Sequence, residues 1–264
     1  MPGYQPAVTN LEQVMTVHQL QEPMPFCLGK WSSWLAPNSI EKQPANNFAE
    51  INGRLASARF RIKSEQISAS CEIAALLLPI DRELEHWACS LPVSWMYRSR
   101  KSSSATGSCD YDVYPDIWVA STWNNYRSVR IMIHQHMLSA TSCCFSEDEA
   151  NWHQTAICVL RDMAVGVCRS VEYYIGDLDD IRAKGNRPGM AACYQLIWPL
   201  FLSGMLRTTS LITKTWISAK LHEIGTAMGL QLAISMSEKV SISNASFSDR
   251  EAWIIGEWYP SRHP

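Results

Sequence analysis

An all-α fold follows from three features of the sequence. Apolar residues recur every three or four positions in stretch after stretch; acidic residues stand where these stretches begin; and no stretch alternates long enough for a β-strand. The 264 residues, 47% of them hydrophobic, supply the material for a core. Surface scaling allows roughly 73% of the open chain's area to be buried. The expected architecture is a single domain of about seven or eight helices. It spans residues 46–240, after an irregular arm over 1–45 and before a C-terminal tail over 241–264.

The arm contains Pro2, Pro6, Pro23, Pro25, Pro37 and Pro44, with one short helix expected over Leu11–Gln21. From Asn46, the spacing of Phe48, Ile51, Leu55 and Ala58 predicts a helix. A second is expected over Glu65–Leu78, ending near Pro79, and a third over Arg82–Ser90 with Asp81 as N-cap. The Ser-rich run 97–108 reads as a loop, and its Arg98, Arg100 and Lys101 as solvated charges, with a weak nuclear-import signal as the alternative.

Asp116–Ser139 predicts a long amphipathic helix. Val119, Trp123, Tyr126, Val129, Ile133 and Met137 form its apolar stripe; Ser121, Asn124, Asn125, Ser128 and Gln135 lie opposite. Another begins near Ser146 and carries Ile157, Leu160, Ala164, Val167 and Val171 on one face. A long loop is expected over Tyr173–Pro188. Met190–Leu206, apolar nearly all round, reads as an enclosed helix kinked at Pro199. A last helix is expected over Thr213–Ser237, with Ile217, Leu221, Ile224, Met228 and Leu232 in line. Gly225, Gly229 and Ala233 form a strip without large side chains on it, which predicts close approach of another helix, with a ligand as the alternative.

Charge and cysteine use narrow the function classes. With 23 basic and 25 acidic residues the net charge is -2, which offers no general field for a phosphate backbone. No run approaches a membrane span, and the opening residues lack a basic start and an apolar core, so an intracellular location is expected. The nine cysteines include no C-x2-C pair, which argues against a structural zinc site. His222-Glu223 opens like a metalloprotease helix motif, but Thr226 stands where the second His belongs. Asp177-Leu178-Asp179-Asp180 supplies the one enzyme reading: an all-α, isoprenoid-synthase-like site for magnesium diphosphate. Ala183 occupies the position of its third carboxylate. No other catalytic motif is present, so no enzyme, metal or cofactor is expected.

Four stretches carry a likeness. They are Leu84-Glu85-His86-Trp87 leading to Leu91-Pro92 with Trp95 and Tyr97; Asp112 to Arg127, with Tyr114, Pro115, Asp116, Trp118, Trp123 and Tyr126; Tyr194 to Leu200, with Trp198 and Pro199; and Ile224 to Leu230, with Gly225 and Gly229. Together and in this order they resemble the regulatory domain of fungal binuclear zinc-cluster transcription factors, over roughly residues 46–237. The resemblance gives these positions packing roles, not catalytic ones. It implies regulation of transcription in the nucleus, commonly of metabolic or secondary-metabolite gene clusters. Partners implied are proteins of the transcription machinery or a DNA-binding partner, with a small-molecule effector in some members. The family's six-cysteine zinc module is not among these residues, so this chain is not expected to read DNA sequence itself.

Overall fold

The structure, a computed structural model, describes residues 43–101, 110–140, 147–176 and 190–243. It is largely all-α. Seven α-helices and one two-stranded sheet occur among the described residues, and none of these helices is long and apolar enough to cross a membrane. The helix expected over Leu11–Gln21 and most of the expected loop over Tyr173–Pro188 lie outside the described residues. The chain divides into two compact units, one ending its main segment at Ser90 and the other starting at Leu91.

The first unit holds α1 (Gln43–Ser64) and α2 (Ser70–Cys89). Phe48, Ile51 and Leu55 of α1 are buried, as are Ile73, Leu77, Leu84 and Trp87 of α2. The helices run antiparallel: Trp87 donates its indole N–H to the Pro44 carbonyl at 2.7 Å, and Arg54 pairs with Glu83 further along. The expected break near Pro79 does not occur, for Pro79 lies inside α2. An interior proline costs about 3 kcal/mol through a lost donor and a clash. Here the apolar face continues past it through Ile80 and Leu84, and that burial holds the helix together. Asp81, expected as an N-cap, is consequently a buried mid-helix residue.

In the second unit a short 3-10 turn, Val93–Trp95, leads into β1 (Arg98–Lys101), which pairs antiparallel with β2 (Asp110–Val113). Arg98–Lys101, expected as part of a Ser-rich loop, is therefore a strand. Four residues per strand are too few to show alternation, and cross-strand contacts make the hairpin. Then come α3 (Ile117–Ala140), α4 (Glu147–Ile175), a 3-10 turn (Met190–Cys193), α5 (Tyr194–Met205), α6 (Leu211–Met228) and α7 (Gln231–Ile242).

Asp116 caps α3, accepting the Val119 amide on Oδ1 at 2.8 Å. Ser210 caps α6 in the same way, through the Thr213 amide at 3.2 Å. α5 is enclosed as its composition predicts, with Leu196, Ile197, Leu200, Phe201 and Leu202 all buried. Gly204 lets it approach both neighbours, since a β-carbon there would stand 2.9 Å from Val240 on α7 and 3.1 Å from Ile217 on α6.

The single helix expected over Thr213–Ser237 is two. Gly229 takes a left-handed conformation, φ 67° and ψ 26°, and ends α6. Glycine adopts this geometry without the steric penalty a β-carbon brings. The turn resets the helical phase, so Ala233 is buried while Leu232 is 45% exposed. Gly225 keeps the role expected of it: a β-carbon there would meet Ile234 Cγ1 at 2.7 Å and the Ile234 backbone nitrogen at 3.0 Å.

Candidate functional site

Most of the polar side chains of α3 turn inward, with Asn125 and Gln135 half-buried. Ser121, Thr122, Asn124, Arg127 and Ser128 are buried along with the apolar stripe. A buried polar group costs free energy unless it is bonded, and these find partners inside the second unit. Asn124 donates to Ser170 Oγ on α4 at 2.9 Å, and Ser170 donates to the Val167 carbonyl at 2.7 Å. Ser121 bonds to the Tyr174 hydroxyl at 3.2 Å and to Gln195 on α5. Ser128 turns back onto the Asn124 carbonyl at 2.9 Å.

Arg127 is the centre of this network. Its Nη1 donates to the Tyr114 hydroxyl at 2.7 Å and to Asn124 Oδ1 at 2.9 Å; its Nη2 lies 3.6 Å from Asp112 Oδ2. The guanidinium carbon also sits 5.2 Å from the Tyr97 ring centroid and 5.8 Å from those of Tyr114 and Trp123, within the range of cation–π attraction. Burial alone would lower its pKa; Tyr114, Tyr97 and Asp112 outweigh that and raise it. Arg127 therefore carries a fixed positive charge.

Asp112 balances that charge from the hairpin. Its Oδ1 accepts the Ser99 hydroxyl at 2.7 Å and lies 3.3 Å from Arg169 Nε, and Arg169 also reaches Asp110 at 3.7 Å. Two arginines and two aspartates thus fasten β2 to α3 and α4. The Tyr114 hydroxyl is pushed up to about 12, by burial first and by Asp112 as well, with Arg127 pulling back. Tyr174 is raised further, mainly by burial. At neutral pH both phenols are neutral. A charged arginine, a carboxylate paired with two arginines and two protonated phenols make a clamp that joins β2, α3 and α4.

The residues of the four motif stretches fall in different places. Trp95 is buried, and its carbonyl accepts the Trp123 indole N–H at 2.9 Å. Tyr97 meets Trp123 edge-on at 5.0 Å, and Tyr126 does so at 5.5 Å. Pro92 supplies the carbonyl that starts the 3-10 turn, accepting from the Trp95 amide at 2.8 Å. Tyr114 belongs to the clamp, Asp116 is the cap of α3, and Pro115 between them is exposed. Trp118 is half-buried. Trp198, on α5, packs at 6.0 Å from Phe201, and Ser203 donates to the Pro199 carbonyl at 2.9 Å. Trp87 lies in the first unit, 5.2 Å from Phe48. The Leu91–Tyr97 exit, the Asp112–Arg127 stretch and the Tyr194–Leu200 stretch are thereby joined through Trp95–Trp123 and Ser121–Gln195.

Arg169, Ser170 and Tyr174 belong to the clamp without being marked by spacing in the sequence, as does Gly166, which lies against the Arg127 side chain. Only Gly166, a glycine in the interior of a helix, offered a signal. Asp177–Asp180 lie outside the described residues. His222 and Glu223 are exposed on α6; Glu223 pairs with Lys220 at 2.9 Å, and Thr226 bonds the His222 carbonyl. Among the described residues no group of three or more His, Cys, Asp or Glu stands together as metal ligands. Comparison of the chain with family models, curated protein sequences and solved structures returns no match.

Proposed function

We propose that this chain regulates transcription through its helical domain, acting in the nucleus on protein partners while another module reads DNA. The observation that supports the reading is the joining of three of the four motif stretches in one packed network around Trp123 and Arg127. The resemblance to zinc-cluster regulators gives those positions packing roles, and their buried hydrogen bonds support that reading. A clamp of this kind suits a domain that relays or restrains a signal, the input being a small-molecule effector in some members of the family. Fused to a foreign DNA-binding domain, the chain is expected to raise or lower a reporter under that domain's control. Unchanged expression across several growth conditions, with the fusion present at normal abundance, contradicts the proposal.

A further inference from the structure

We draw no further inference here: the strongest candidate, the exposed apolar surface patch of Leu211 and Ile212 at the start of α6 and Ile242 at the end of α7, carries none because nothing in the structure shows what covers it.

Discussion

Gly166 on α4 lies so close to Arg127 on α3 that a β-carbon at position 166 would stand 2.6 Å from Arg127 Nε and 3.1 Å from Cζ. The glycine is the opening through which the guanidinium reaches Tyr114 and Asp112. Arg127 is fixed by those partners and by three aromatic rings, so it has little room to yield. Gly166→Ala is therefore expected to destabilise the protein by ~1–3 kcal/mol through overpacking, even though alanine is the better helix former. Urea unfolding checks this; an alanine variant more stable than the parent would contradict the contact.

Gly225 and Gly229 differ in cause and hence in tolerance. At Gly229 the φ is 67° and nothing lies within 4 Å of an added β-carbon, so only backbone strain resists substitution. Gly229→Ala should cost ~1–2 kcal/mol, and Gly229→Asn less, since asparagine visits this region more readily. At Gly225 the backbone of α7 is in the way, so Gly225→Ala and Gly225→Asn should both destabilise, with asparagine the worse. Melting temperatures of the four variants separate the two patterns.

Much of the fold was legible because apolar spacing depends on local geometry. The stripe Val119, Trp123, Tyr126, Val129, Ile133 and Met137 of α3 is buried throughout. The burial of Ser121, Asn124 and Ser128 opposite it was not legible, because the partners Ser170, Tyr174 and Gln195 come from other elements and no local pattern announces them. Pro79 and Gly229 show the limits of two local rules. A proline ends a helix only where burial does not continue beyond it, and a helical glycine strip reads the same whether the backbone continues or turns left-handed. The hairpin was hidden by its brevity and its exposed, basic first strand.

Alkaline pH should loosen the second unit. The Tyr114 pKa is raised from 10.0 to about 12, chiefly by burial. A group with a raised folded pKa contributes stability that is complete below its unfolded value and lost as pH climbs through the folded one. Stability should therefore fall between pH about 10 and 12. Phenolate absorbance and helical circular dichroism, followed together, should show Tyr114 ionising only as structure is lost. Early ionisation without unfolding would contradict its burial.

Thiol reactivity should sort the described cysteines by position. Cys71, Cys89 and Cys158 are exposed and Cys193 is buried. Burial pushes the Cys168 thiol from 9.0 up to about 12, which lowers its thiolate population roughly a thousandfold. Alkylation of the native protein followed by peptide mapping should label Cys71, Cys89 and Cys158 first, and Cys168 and Cys193 only on unfolding. Prompt labelling of Cys168 would contradict the packing of α4.

Arg127 and Asp112 together hold the buried polar side chains of α3 in the interior. A double-mutant cycle in urea unfolding, using Arg127→Met, Asp112→Asn and the pair, tests this most directly. Removing one partner of a buried pair strands the other, so Arg127→Met should cost ~3–5 kcal/mol. The double variant should lose less than the sum of the single losses, with a coupling of roughly 0.5–3 kcal/mol. Additive losses, or an Arg127→Met variant as stable as the parent, would contradict it.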